Sequence, residues 1–160
     1  MGEAADWAKT ERTWEELYVT YSMVKKAWEL ELAACGLTLP QALVLRCLAK
    51  SPVTLTLVDL AQLMCREPHG ISALISRMEA DGLVRKKRHP KNTSQVTVSL
   101  TKKGQDVIRD KLALRVSKDI AGTLSLEELD TLHSICEKMR AEALRLIREA
   151  RSSPYDAPLD

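Results

Sequence analysis

The sequence predicts a mainly α protein with a small β-hairpin, one domain's worth of chain flanked by long helices. Three observations carry this. Apolar residues recur at spacings of three and four over most of the chain. A half-exposed strand with period two is read where Val96, Val98 and Leu100 interleave with Gln95, Thr97 and Ser99. The 160 residues are 45% hydrophobic and 29% charged, which excludes a fibrous or disordered chain. No apolar run approaches the roughly 18 residues of a membrane span, and MGEAADWAKT lacks a signal-peptide layout, so a cytoplasmic protein without a membrane partner is expected.

The first helix is expected from about Asp6 to Ala34, with Trp14, Leu17, Tyr18, Tyr21, Val24, Trp28 and Leu32 on one face and Gly36 as its stop. Thr38 and Pro40 start a second helix carrying Leu43, Val44, Cys47 and Leu48, which ends before Ser51-Pro52. Val53-Thr54-Leu55 is β-prone but too short to stand alone. Thr56 caps a short helix, Leu57 to Met64, and after a break at Arg66-Glu67 the next helix opens at Pro68 and closes at Gly82. Its inner face is Ile71, Leu74, Ile75 and Met78. Two short helices joined by a tight break make a helix-turn-helix. Leu83–Arg88 and Gln95–Leu100, around the turn-forming stretch His89–Ser94, then make a hairpin, which in that place is a wing.

Thr101 caps a helix through Val107, Ile108, Leu112 and Val116 that fades near Gly122. Ser125 and Glu128 form a capping box for the last helix, where Leu129, Leu132, Cys136, Met139, Ala143 and Leu146 make a coiled-coil-like seam. Long first and last helices carry more apolar face than one small domain covers, so a homodimer is expected. The expected organisation is a flexible start (1–10), a dimerisation helix (11–36), a winged helix-turn-helix domain (37–101), dimerisation helices (102–150) and a flexible tail (151–160).

Net charge is only +2, but its distribution is informative. Between Gly82 and Gln105 there is no Asp or Glu, while Arg85, Lys86, Lys87, Arg88, Lys91, Lys102 and Lys103 supply seven positive charges and leave the remainder at −5. A basic stripe on a mildly acidic body is an electrostatic footprint for a polyanion, although a solvated loop has the same composition. The helix from Pro68 is the candidate reader of a DNA major groove, presenting Pro68, His69, Ser72, Ala73, Ser76 and Arg77 outward. Arg85, Lys86, Arg88, Lys91, Asn92, Thr93 and Lys102 are the candidate wing and phosphate contacts.

At Leu37-Thr38-Leu39-Pro40-Gln41, Leu57–Met64, Ile75-Ser76-Arg77-Met78-Glu79-Ala80-Asp81-Gly82-Leu83-Val84 and Val98-Ser99-Leu100-Thr101-Lys102-Lys103-Gly104 the chain resembles the multiple antibiotic resistance regulator (MarR) family, over roughly residues 10 to 150. The resemblance implies a homodimeric winged helix-turn-helix repressor or activator on palindromic DNA, often released by a small ligand or by oxidation. Two departures stand out. Many members carry an Asp–Arg pair in the wing, and here the matching residues are Asn92 and Thr93, so Lys91 or Arg88 must substitute. The peroxide-sensing branch has a reactive Cys before a Leu-Tyr pair, and before Leu17-Tyr18 this chain has Trp14, Glu15 and Glu16.

Five of the six aromatics, Trp7, Trp14, Tyr18, Tyr21 and Trp28, lie on the first helix, and there is no Phe. Trp14, Tyr18, Tyr21 and Trp28 with Arg46 are the candidate pocket for a small aromatic acid, or else they pack a dimer interface. Cys35, Cys47, Cys65 and Cys136 show no CxxC spacing and are expected as reduced core hydrophobes. His133 with Cys136 and Cys65 with His69 lack placeable partners, so neither metal nor cofactor is expected. No phosphate loop, HExxH or nucleophile elbow is present, which argues against an enzyme. The expected function is a dimeric sequence-specific transcriptional regulator. The alternative is a helical adaptor whose degenerate winged helix contacts proteins.

Overall fold

Three of the helices end in the same way. In the computed structural model, residues 7–89, 92–111 and 115–151 are described, without the side chains of residues 89, 92–95, 111 and 151. Helix α1 (Trp7–Ala34) ends in a Schellman closure over Gly36, whose φ of 71° lies in the left-handed region that glycine enters without a Cβ penalty. There Leu37 N–H donates to the Leu32 carbonyl and Gly36 N–H to that of Ala33, both at 3.0 Å. Helix α4 (Pro68–Ala80) closes over Gly82 (φ 72°), with Leu83 N–H on the Met78 carbonyl at 2.8 Å. In both closures the apolar pair that the motif brings together, Leu32 with Leu37 and Met78 with Leu83, is buried. Helix α3 (Leu57–Leu63) closes similarly over Cys65 at φ 49°, with Arg66 N–H on Ala61 O at 2.9 Å. Holding a non-glycine residue there costs about 1–2 kcal/mol, offset by the core that α3 and α4 share.

The helix starts are equally explicit. Helix α2 (Leu39–Lys50) and α3 both open with capping boxes: Thr38 Oγ1 accepts from Gln41 N–H while Gln41 Oε1 accepts from Thr38 N–H, and Thr56 and Asp59 repeat the exchange. The Thr56 N–H and hydroxyl hold the Asp59 carboxyl below its ordinary range. Strands β1 (Leu55–Thr56), β2 (Val84–His89) and β3 (Asn92–Leu100) form one antiparallel sheet in the order β1-β3-β2. The register pairs Leu55 with Val98 and Val84 with Leu100, which puts all four on one face. That face and helices α1 to α4 enclose a core centred on Leu32, Val44, Leu45, Leu60, Ile71, Ile75 and Met78. Each such side chain contributes about 1.5–3 kcal/mol on leaving water.

Helix α5 (Lys102–Lys111) completes the first compact unit, Met1–Val116; the boundary with the second, Ser117–Asp160, falls inside α6 (Arg115–Ala121). The start of α6 is held by Glu31 of α1, whose Oε1 accepts from Val116 N–H at 3.3 Å. The second unit is dominated by α7 (Leu126–Arg151), opened by the expected Ser125–Glu128 box.

Several expectations are corrected. The first helix begins at Trp7, within one residue of the Asp6 start that its periodicity predicts, and so runs through part of the 1–10 segment. The sheet has three strands, because β3, paired with β2 along one edge, pairs on its other edge at Thr97 and Val98 with the short Leu55–Thr56 segment. The hairpin strands run into the expected turn: β2 reaches His89, β3 starts at Asn92, and a register shift at Arg88/His89 takes up the extra residues. Pro90 and Lys91 lie outside the described residues. The single helix expected from Thr101 to Gly122 is two, α5 and α6, with Leu112 outside the described residues. Two of the four cysteines, Cys65 and Cys136, are exposed and not core hydrophobes. Residues 1–6 and 152–160 lie outside the described residues.

Candidate nucleic-acid interface

Period 3.6 splits α4 cleanly into two faces. Ile71, Leu74, Ile75 and Met78 are buried, which leaves His69, Ser72, Ala73, Ser76 and Arg77 exposed, with Pro68 exposed in the first turn. The polar face is therefore anchored by four buried apolar side chains on the opposite side of the helix, and the candidate contact residues are presented by a rigid element. Helix α4 is followed at once by β2, the edge strand of the sheet. Along β2 the pleat sends Val84, Lys86 and Arg88 to one face and Arg85 and Lys87 to the other. Arg85, Lys87 and Arg88 are exposed. Lys87, whose site role the charge pattern alone did not single out, thus stands beside Arg85 on the outer face.

The stripe of seven positive charges is not uniform. Lys86 turns back onto α4: its ammonium lies 3.1 Å from Glu79 Oε2 and donates to Ser76 Oγ at 3.1 Å, while its backbone N–H donates to Glu79 Oε1 at 2.7 Å. These bonds, the backbone one first, hold the Glu79 carboxyl below its usual range. Ser76 Oγ also donates to the Ser72 carbonyl at 2.9 Å, so its one hydroxyl hydrogen is engaged within α4. Lys103 donates to the Asp81 carbonyl at 2.7 Å, a cation on the last turn of α4. Lys102 is 79% exposed and pairs with Asp106 at 3.3 Å across one helical turn. Lys86 and Ser76, expected to meet DNA directly, are thus mutually engaged inside the protein. The side chains of Asn92 and Thr93 and all of Lys91 lie outside the described residues.

The junction behind this face explains two sequence motifs at once. Thr101 Oγ1 donates to the Gly82 carbonyl at 2.6 Å and accepts from Gly104 N–H at 3.0 Å. A Cβ on Gly104 would lie 2.1 Å from the Leu83 carbonyl oxygen, so only glycine lets the first turn of α5 seat there. Arg-Met-Glu-x-x-Gly-Leu-Val, ending α4, and Val-x-Leu-Thr-x-x-Gly, opening α5, are two sides of one packed corner that fixes β2 and β3 against α4.

Residues 37–95 match the model of the MarR family. The chain carries a MarR-family winged-helix domain. No curated protein matches the chain. Among solved structures, the MarR family regulator AbsC of Streptomyces coelicolor superposes with a TM-score of 0.76 at 23% identity, covering 91% of this chain and 99% of AbsC. MepR of S. aureus, solved as a DNA complex, gives 0.71 at 21% identity over 80% of this chain and 96% of MepR. A mutant MarR of E. coli, solved with operator DNA, gives 0.72 at 16% identity over 85% and 99%. These likenesses establish the winged-helix fold of the MarR-family domain and its flanking helices.

Other expected sites are placed as follows. Trp14, Tyr18 and Tyr21 are exposed on α1, Tyr18 by 72%, while Trp28 and Arg46 are half-buried. Enclosing an aromatic ligand with Tyr18 therefore requires a surface that the described single chain does not bring to it. On α7, Leu132, Cys136, Ala143 and Leu146 are exposed and Leu129 and Met139 half-buried; Ile135 and Ile147, absent from the expected seam, are also exposed. Among the described residues no three His, Cys, Asp or Glu side chains gather into a metal-binding group, and His133 pairs with Glu137 at 3.2 Å. Burial raises the Cys47 thiol against the lowering effect of Arg46 and Lys50. No single helix among the described residues is long and apolar enough to cross a membrane.

Proposed function

We propose that this chain is a cytoplasmic, homodimeric, sequence-specific DNA-binding transcriptional regulator, most simply a repressor, that recognises a palindromic operator. The observation that carries the reading is the exposed face of α4, with His69, Ser72, Ala73 and Arg77, followed in the chain by the exposed Arg85, Lys87 and Arg88 of β2. An α-helix fits the B-DNA major groove, and its N-terminal turns bring short side chains to base edges. Exposed Arg and Lys on the adjoining hairpin add phosphate contacts that position the protein without specifying sequence. The fold shared with MepR and MarR, each solved with DNA, supports the same use of the winged helix here.

The exposed apolar side chains of α1 and α7, such as Trp14, Leu17, Leu132 and Leu146, support assembly of two copies, which would place two α4 helices in successive major grooves. The domain limits at 37 and 101 and the flanking dimerisation helices follow from that reading. A small aromatic acid held by Trp14, Tyr18, Tyr21, Trp28 and Arg46 is the proposed effector, the arginine pairing with its carboxylate. No catalytic step belongs to this function. Selection from a random duplex pool at near-physiological salt tests it. The expected result is a palindrome with half-sites about one helical turn apart. A folded dimer that enriches nothing, with or without aromatic acids present, sinks the reading in favour of a protein-contacting adaptor.

A further inference from the structure

Lys86 sits in the middle of the basic stripe yet directs its charge back into the protein. We infer that Lys86 and Glu79 form a neutral brace that sets the angle of α4 relative to the hairpin, so that Lys86 is a positioning residue for DNA reading and not a phosphate contact. This rests on the DNA-binding reading above and names what fixes its geometry.

The argument starts from the sheet edge. Strand β2 has β3 on one side only, so a backbone N–H directed away from β3 is left to find another partner. The Lys86 N–H finds Glu79 Oε1 at 2.7 Å. The same carboxylate takes the Lys86 ammonium on its other oxygen at 3.1 Å, and the ammonium reaches Ser76 one turn earlier, also at 3.1 Å. Main chain and side chain of one strand residue thus grip two successive turns of α4. Ser76 in turn donates to the Ser72 carbonyl, which brings the bonding up to the middle of the helix. Neutralised by Glu79, the Lys86 ammonium releases no condensed counterion from a DNA phosphate. To reach one, it would have to abandon both partners and leave the Glu79 carboxylate facing DNA.

Glu79→Gln separates the alternatives, because the amide oxygen still accepts from the Lys86 N–H while the ion pair is lost. With a random-sequence duplex as probe, the variant should bind more tightly, and its log K against log salt should steepen by about 0.9 as the released ammonium gains a phosphate. Discrimination between the selected operator and that duplex should fall several-fold. In Glu79→Gln/Lys86→Met the salt slope should return to the wild-type value. A slope unchanged in Glu79→Gln and about 0.9 shallower than wild type in the double variant would show Lys86 already on a phosphate and overturn the brace. Backbone hydrogen exchange without DNA tests the brace independently. Glu79→Ala should speed exchange of the Lys86 N–H several-fold, and an unchanged rate refutes the brace whether or not the protein binds DNA. Wild type that binds no duplex at low salt while that N–H is protected by Glu79 refutes the DNA reading and leaves the brace standing.

Discussion

At the scale of single residues, partners decide what a charge does. Arg77 is exposed on the polar face of α4 proposed to read DNA, and Arg77→Ala should weaken operator binding by about 1–3 kcal/mol while leaving the melting temperature within a degree or two. Titration of a labelled operator beside a thermal melt checks it; a fallen melting point with intact affinity would move the reading face elsewhere. Glu79 answers to pH. Its carboxyl is held below the ordinary value of about 4.3, so its contribution is complete above that value and is lost as pH falls through the lower folded one. The brace is therefore constant across physiological pH, and its ion pair should be lost only in acid below the usual carboxylate range, read as a shift of the Lys86 side-chain resonances by NMR. The basic stripe was legible in the sequence, but its division was not. Glu79 precedes Lys86 by seven residues across a helix end, and no single period links a helix position to a strand position.

At the scale of elements, local chemistry set most boundaries and long-range pairing set the remainder. Thr38, Thr56 and Ser125 announce helix starts because a hydroxyl one residue before an apolar stripe satisfies orphan N–H groups. Thr56→Ala should cost about 1 kcal/mol, read from denaturant unfolding, since it removes the side-chain half of the box that opens α3. Gly104→Ala should cost more, about 1–3 kcal/mol or beyond, because its methyl meets a backbone oxygen that cannot swing aside. A melting temperature unchanged by that substitution would contradict the tight corner between α5 and Leu83. Strand β1 was not legible, since two residues make a strand only when β3 offers them a partner. The end of α3 was read within one residue, at Met64, but its left-handed closure was hidden, because a cysteine occupies the position where the sequence signal is glycine.

At the scale of the whole molecule, the sequence carried the layout of helices, winged unit and α7, and left the effector open. An apolar stripe looks the same whether it faces a core, a ligand or another chain. The structure narrows the choice by leaving Leu132 and Leu146 about half exposed on α7 and Trp14, Tyr18 and Tyr21 exposed on α1. Sedimentation should give twice the 17.9 kDa of one chain, with a melting temperature that rises with protein concentration. Leu132→Glu and Leu146→Glu together should return the monomer mass and abolish operator binding. A wild-type chain sedimenting at 17.9 kDa in micromolar solution would refute the dimer.

The crowding of aromatics onto α1 gives the protein a built-in optical label. All three tryptophans lie on that one helix, and residues 37–101 contain neither Trp nor Tyr. Excitation of the indoles is therefore blind to the DNA-reading unit itself. Trp7 and Trp14, 75% and 56% exposed in the single chain, should emit to the red when alone and shift to the blue when another surface covers them. A dilution series followed by emission wavelength then reports association without any attached dye. Quenching on addition of an aromatic acid would report the other surface that this helix is proposed to serve.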